Sequence, residues 1–200
     1  MWKSCEFVRI NEIRYRLVNP ESDSVDFLDK QLEDFGLEGD KKKEIVTNTL
    51  YITSFWLEGL DPAGPNFNDY PELCLSSSDA RFVDIIHTDQ GYYGINLNRG
   101  TVDFFPNGGY RLQPGCQRAL YIYPYDICSH KRCCEIYAES VNNELAFLGV
   151  ECSSWDNFLS GECNNNTQVI MGYGTPNTAS GTVYFKTAAE SPFGLGEEGV

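Results

Sequence analysis

The chain has 200 residues, a length that suits one domain with its own hydrophobic core. Its 15 Lys and Arg are outnumbered by 29 Asp and Glu, and the formal net charge of -14 argues against nucleic-acid binding and against electrostatic attachment to an anionic membrane. No stretch of the sequence is long and apolar enough to span a bilayer.

The cysteine content predicts an oxidising compartment. Eight cysteines are more typical of secreted proteins than of cytosolic ones, and the Asn-Asn-Thr sequon at residues 165–167 agrees with that interpretation. Residues 1–6 contain no long apolar run, so no signal peptide is visible, and we expect the start to be missing or wrongly assigned. The alternative is a cytosolic protein with free thiols.

Three patterns precede Asp61. Residues 6–18 alternate between apolar and charged side chains, which predicts one half-buried strand near a sheet edge. Residues 24–35 begin with a serine and then repeat apolar side chains at helical spacing, which predicts a helix. Residues 50–57 form an apolar run of β-favouring side chains, which predicts a buried strand that delivers Asp61 to its carboxyl end.

Later segments complete the predicted elements. Buried strands are predicted at residues 82–87 and 101–105, and a final strand is predicted at 182–187. A helix is predicted to follow His130, with Ser129 as its N-cap and with one face formed by Cys134, Tyr137 and Val141. Strands separated by helices and long loops indicate an α/β sheet.

Asp61 and His130 are the candidate catalytic residues. Asp61 lies within Gly-Leu-Asp-Pro-Ala-Gly-Pro, and His130 lies within Cys-Ser-His-Lys-Arg. A carboxylate that orients an imidazole is the acid–base pair of serine hydrolases, and in α/β hydrolases this acid and then this base follow the serine. For Asp61 the alternative is a turn aspartate before Pro62, whereas His87, in an apolar strand, is interpreted as a core histidine that donates a hydrogen bond.

The third member of a catalytic triad is missing from the sequence. No Gly-x-Ser-x-Gly occurs, so no serine stands on the sharp turn that such a nucleophile needs. Serines at other positions lack the flanking glycines of that turn, among them Ser76, Ser77, Ser78, Ser129, Ser153 and Ser154. We therefore predict no esterase turnover by this chain.

Six motifs follow one another from residue 59 onward, at residues 59–65, 78–89, 102–109, 113–116, 128–132 and 171–173. In this order they resemble the pancreatic-lipase family, which includes phospholipases A1 and many insect lipases. The resemblance covers residues 59–196, and Glu-Ser-Pro-Phe-Gly at 190–194 is similar to the insect branch. Residues 6–20 are a softer match to the opening strand of the family.

The resemblance implies an incomplete α/β-hydrolase (lipase) fold, with mostly the C-terminal half of the sheet and with disulfide-tied loops. Residues 1–58 are then a divergent N-terminal segment with an internal deletion at its end, residues 59–196 are the C-terminal portion of a lipase domain, and residues 197–200 are a tail. In the family, the oxyanion segment and the serine elbow precede the motif that contains Asp61. Here both are absent, and exon skipping or a faulty gene model is the simplest explanation.

The resemblance also assigns residue roles. Asp61 becomes the triad acid and His130 the triad base. Cys116 and Cys128 resemble the pair that ties the base of the family's lid, and Cys152 and Cys163 resemble the next bridge. The loop between the first pair is apolar and aromatic, which suits contact with lipid through Leu120, Tyr121, Ile122, Tyr123 and Tyr125. The alternative is an ordinary buried loop; partners for Cys5, Cys74, Cys133 and Cys134 are not assigned.

No metal or cofactor is expected. Glu72 and Asp79 resemble remnants of a calcium site of some relatives, but the acid expected between them is missing, and no zinc-type spacing occurs. The expected partner is lipid or a lipid–water interface, and the resemblance implies a secreted protein. The leading hypothesis is an inactive chain derived from a lipase. One alternative is a lipid-binding or yolk-type storage protein without enzyme activity. Another is a truncated product with exposed strand edges.

Overall fold

The computed structural model describes residues 6–10, 13–17, 56–65, 67–116 and 127–200. Three predictions lie outside these described residues: the helix at residues 24–35, most of the strand at 50–57, and the loop residues Leu120, Tyr121, Ile122, Tyr123 and Tyr125.

An antiparallel hairpin opens the described chain. Strand β1 spans Glu6–Ile10 and strand β2 spans Ile13–Leu17, with Ile10 paired to Ile13. The prediction of one strand over residues 6–18 is therefore wrong. Both strands mix apolar and charged side chains, so this pattern alone does not show that the segment contains two strands.

The main sheet contains six strands in the described ranges: β3 (Leu57–Leu60), β4 (Val83–Ile86), β5 (Val102–Pro106), β6 (Leu148–Glu151), β7 (Gln168–Ile170) and β8 (Gly181–Phe185). Their spatial order is β3-β4-β5-β8-β6-β7. Strands β3, β4, β5 and β8 are parallel, whereas β6 is antiparallel to both β8 and β7. This mixed sheet with helices is the predicted α/β architecture.

Strands β4 and β5 lie inside the sheet, and all of their residues are buried. Parallel strands that are covered on both faces need apolar side chains in both directions, which explains why both strands are apolar except for one buried aspartate each, Asp84 and Asp103. For this reason the predicted strands at 82–87 and 101–105 lie within one residue of the observed limits at each end.

Two α-helices follow, α1 (Cys128–Asn142) and α2 (Trp155–Leu159). Helix α1 begins at Cys128 rather than after His130, and its N-cap is Ile127, so the prediction of Ser129 as N-cap is wrong. Ser129 lies inside the helix, where its Oγ accepts a hydrogen bond from the backbone N–H of Gln113 at 3.1 Å. No helix in the described ranges is long and apolar enough to cross a membrane.

The buried face of α1 includes more residues than the predicted one. Its fully buried residues are Ser129, Arg132, Cys133, Ile136 and Ser140. The predicted residues Cys134, Tyr137 and Val141 are half-buried, and Cys134 and Tyr137 pack against the main core. Arg132 can be buried because its Nη1 donates to Pro114 O at 2.7 Å and its guanidinium lies 4.4 Å from the centre of the Phe193 ring. Polar side chains with buried partners thus extend the face that hydrophobicity alone favours.

Chain direction brings the candidate residues together. Parallel strands β3, β4 and β5 end at the same edge of the sheet, and the loops that follow them start at Asp61, His87 and Asn107. The structure contains the disulfide Cys116–Cys128, with the two Cα atoms 5.7 Å apart, and this bridge holds the start of α1 beside the segment that follows β5. The other implied disulfide, Cys152–Cys163, encloses α2.

Candidate active site

Asp61 occupies a constrained position directly after β3. Its backbone φ is 49°, in the left-handed region that aspartate tolerates better than most residues, and the residue is fully buried. Its backbone N–H donates to Ile86 O at 2.7 Å, which ties the turn to the end of β4. The sheet therefore fixes the backbone from which the carboxylate extends.

The loop after β4 is folded around this carboxylate. Oδ1 of Asp61 accepts hydrogen bonds from the backbone N–H groups of Thr88, at 2.7 Å, and Asp89, at 3.0 Å. Gly94 packs against the same group, because a Cβ at this position would lie 2.5 Å from Oδ1. One oxygen is thus satisfied by the backbone, and the other is left for a side-chain partner.

That partner is His130. Its Nδ1 lies 2.6 Å from Asp61 Oδ2, and its side chain is 13% exposed. Because an ionised carboxylate only accepts hydrogen bonds, the ring donates from Nδ1 and leaves Nε2 as the atom that can take up a proton. This orientation is the one that a general base needs.

The pKa of His130 is raised by its surroundings. Burial of the ring is the largest single cause and acts to lower it, but the hydrogen bond to Asp61 and the negative charges of Asp61, Asp89 and Cys134 together outweigh burial and raise the pKa. The imidazolium form is therefore stabilised. A base that must hold a proton during a reaction benefits from such stabilisation.

A second ion pair supports the loop. Nε and Nη2 of Arg111 donate to the two carboxylate oxygens of Asp89 at 2.6 and 2.7 Å. The guanidinium lies 3.6 Å from the centre of the Tyr92 ring, and the ring of the neighbouring Tyr93 has its centre 5.8 Å from that of His130. Burial raises the pKa of Asp89, and Arg111 opposes that rise.

Sequence reasoning missed this support. Asp89, Gly94 and Arg111 all contribute to the surroundings of Asp61 and His130, but none of them was singled out from the sequence. Two signals were available for Asp89: it ends the motif at residues 78–89, and it comes shortly after the end of β4 at the carboxyl edge of the sheet.

His87 lies elsewhere. It is fully buried, its Nε2 is 2.7 Å from Asp103 Oδ1, and its ring stacks on Phe105 with ring centres 4.6 Å apart. It is thus a core histidine whose carboxylate partner is Asp103, whereas the carboxylate of Asp61 is bonded to Thr88, Asp89 and His130.

No candidate serine hydrogen-bonds the His130 ring in the described ranges. Ser129 Oγ accepts from the backbone of Gln113, and Ser154 Oγ accepts from the backbone N–H of Asn157 at 3.1 Å as the N-cap of α2. Ser153 Oγ accepts a hydrogen bond from Nδ2 of Asn157 at 2.8 Å. Ser76, Ser77 and Ser78 line a polar pocket of about 330 Å³ with Asn98, Arg99 and Gly100.

The calcium-site remnants do not form a cluster. Asp79 Oδ2 accepts from the backbone N–H of Ser76 at 2.7 Å, and Glu72 is exposed in a 3-10 turn. Among the described residues no three His, Cys, Asp or Glu side chains are arranged to hold a metal ion.

Comparison with known proteins gives the same family over most of the chain. The family model described as Lipase matches residues 55–193. Pancreatic lipase-related protein 2 of Homo sapiens is 41% identical over 126 residues, which cover 54% of this chain and 27% of that protein. Phospholipase A1 member A of Bos taurus is 40% identical over 109 residues, which cover 54% and 24%.

A third relative extends further along the chain. Lipase member H-B of Xenopus laevis is 34% identical over 154 residues, which cover 68% of this chain and 33% of that protein. The chain thus spans about a quarter to a third of the length of these relatives. By its sequence match and its sheet, the chain belongs to the pancreatic-lipase-like family and forms part of an α/β-hydrolase fold.

Proposed function

We propose that this chain is a lipase-family protein of carboxylic ester hydrolase ancestry, of the triacylglycerol lipase or phospholipase A1 type, that does not turn over esters itself. Asp61 is the triad acid and His130 the triad base. The observation that supports this most is the 2.6 Å contact between Asp61 Oδ2 and His130 Nδ1, together with the absence of a serine elbow from the sequence.

The proposed inactivity has a chemical reason. His130 can activate a hydroxyl only when that hydroxyl lies against Nε2, and the attack also needs donors for the oxyanion. Loss of the serine alone typically costs about a million-fold in kcat. This chain lacks the oxyanion segment as well, so the residual rate that an oxyanion hole supplies should disappear too.

The missing parts are attributed to an internal deletion. The proposed organisation is a divergent segment at residues 1–58, the C-terminal portion of a lipase domain at 59–196, and a tail at 197–200. The family match that begins at residue 55 is compatible with this division. Transcript sequence across the codons for residues 53–59 tests it, because reads with an extra in-frame elbow segment would restore the enzyme.

Secretion and lipid contact belong to the same proposal. Two disulfides support an oxidising compartment. The aromatic loop with Leu120, Tyr121, Ile122, Tyr123 and Tyr125 is proposed to contact lipid, since its ends are joined by the Cys116–Cys128 bridge as a lid base requires.

The test of inactivity is ester hydrolysis by the purified chain. Release of fatty acid is measured from an emulsified short-chain triglyceride and from phosphatidylcholine, with His130→Asn as the matched variant. We expect both proteins to give the rate of a buffer blank. A rate that the parent shows and the variant loses would overturn the proposal.

A second candidate function is lipid binding without hydrolysis. Large side chains are exposed in the loops near the start of α1, which carries His130: Tyr92 at 48%, Tyr110 at 57% and Leu112 at 41%. They flank Arg111, whose guanidinium packs on the Tyr92 ring. Aromatic side chains with a polar end suit the interface between water and lipid.

Vesicle flotation tests this candidate. Vesicles of phosphatidylcholine, a zwitterionic lipid without net charge, are the suitable probe, because the net charge of -14 disfavours anionic lipid. The combined variant Tyr92→Ser, Tyr110→Ser and Leu112→Ser should lose binding, whereas Leu159→Ser, at a leucine that is 55% exposed at the end of α2, should retain it. Equal flotation of both variants would exclude this surface.

A further inference from the structure

The segment that joins α2 to β7 holds an unused sequence motif. Residues 165–167 read Asn-Asn-Thr, and they follow the Cys152–Cys163 disulfide and precede β7. Asn165 and Thr167 are both exposed. The chain turns here, as the backbone N–H of Asn166 donates to Cys163 O at 2.9 Å.

All three residues of the motif are exposed, and hydrogen bonds hold its middle residue, Asn166, in place. Nδ2 of Asn166 donates to Glu151 O at 2.9 Å, and the backbone N–H of Glu151 donates to Thr167 O at 2.9 Å. These bonds hold the turn against the end of β6. Asn165 makes no side-chain hydrogen bond in the described part of the chain, so its amide remains accessible to solvent.

We propose that Asn165 carries an N-linked oligosaccharide. In the transfer, Nδ2 of Asn165 attacks C1 of a polyprenyl diphosphate-linked oligosaccharide of the secretory pathway. The Nδ2–C1 bond forms, the bond between C1 and the phosphate oxygen breaks, one amide proton is lost, and the polyprenyl diphosphate leaves. The hydroxyl of Thr167 completes the acceptor motif.

The glycan would lie away from the candidate active site. Strand β6 is antiparallel to β8, with Glu151 paired to Val183, so the end of β6 lies toward the amino edge of the parallel strands. Asp61 and His130 lie at the carboxyl edge. An oligosaccharide on Asn165 therefore leaves the Asp61–His130 region open.

The same position gives the glycan a protective role. Strand β7 is the last strand of the main sheet within the described ranges, and Asn165 comes shortly before its first residue, Gln168. An exposed strand edge invites pairing with other chains, and bulky groups near it hinder such pairing. A glycan at Asn165 is well placed to shield this edge.

The experiment is expression of the full chain with an added leader peptide in a eukaryotic secretory host. Peptide N-glycosidase should shift the parent to lower mass and convert Asn165 to Asp. Asn165→Gln and Thr167→Ala should lose the shift, whereas Asn164→Gln, a change just outside the motif, should keep it.

Cell-free translation with microsomal membranes keeps the test independent of folding, because transfer is detected on the translocated chain whether or not a variant is stable. A parent chain that is translocated without gaining an enzyme-sensitive glycan would overturn the proposal. A shift that survives Asn165→Gln would also overturn it.

Discussion

Oδ2 of Asp61 lies 2.6 Å from Nδ1 of His130, although 69 positions separate the two residues in the sequence. Strand β3 brings the carboxylate to the sheet edge, and the Cys116–Cys128 bridge holds the start of α1 there. The contact is therefore a property of the fold, and it persists in a chain whose sequence contains no serine elbow.

Asp61→Asn should lower the pKa of His130. The substitution removes the charge and alters the hydrogen bond that raise this pKa, while the burial that lowers it remains. Titration by NMR is direct, because the chain has only two histidines and their signals are easily assigned. Asp79→Asn, an exposed change, should leave the pKa of His130 where it is; an unchanged value in Asp61→Asn would show that the pair is not coupled.

His130→Gln should destabilise the fold in a pH-dependent way. The pKa of His130 is raised in the folded state, so its contribution is fully present below the unfolded value of about 6.5 and is lost as pH rises through the folded value. In urea unfolding, the gap in free energy between parent and variant should be largest near pH 5.5 and should shrink toward pH 9. A gap that grows with pH would contradict the assigned direction.

Arg111→Gln should cost more stability than an exposed charge change. The variant leaves the fully buried Asp89 carboxylate without its ion partner, a loss that typically costs about 3–5 kcal/mol in a buried pair and less here because Arg111 is 24% exposed. The pKa of Asp89 should rise further, because Arg111 no longer lowers it. Lys131→Gln, at an exposed position of α1, is the matched control.

A double-mutant cycle separates the pair from general damage. In the Asp89→Asn background, Arg111→Gln should cost clearly less, because no buried charge is then left behind. Identical costs in both backgrounds would mean that Arg111 acts only through its packing on Tyr92.

Gly94→Ala should disturb the acid directly. The added Cβ would lie 2.5 Å from Oδ1 and 2.8 Å from Oδ2 of Asp61, so the loop must move, at a cost of about 1–3 kcal/mol as for other overpacked sites. The cost should fall in an Asp61→Ala background, where the clashing atoms are absent. Equal unfolding free energies for Gly94→Ala and the parent would contradict the close packing.

The sequence predicted strand positions best where every residue of a strand is buried. Strands β4 and β5 are covered on both faces, so their apolar runs marked them plainly. Strands β6 and β7 were missed because they have only four and three residues, and because Gly149 interrupts the apolar pattern of β6. Glycine is there because a Cβ would lie 2.6 Å from Val183 Cγ1, a contact that depends on the partner strand.

The candidate site was predictable only in part. Asp61 and His130 stand in recognisable motifs, so they could be named from the sequence, and the structure brings them into contact. The Asp89–Arg111 pair could not be named, because it depends on how two loops fold against each other and carries no local spacing signal. Long-range loop contacts of this kind are determined by tertiary packing.

The most direct test of the account is intact mass after exposure of the purified chain to a fluorophosphonate probe. Such a probe labels a hydroxyl that a base has activated and that has oxyanion donors beside it. We predict that the parent and His130→Asn keep the same unmodified mass. A stoichiometric adduct on a serine of the parent, absent from His130→Asn, would contradict the claim that this chain has an acid and a base but no nucleophile.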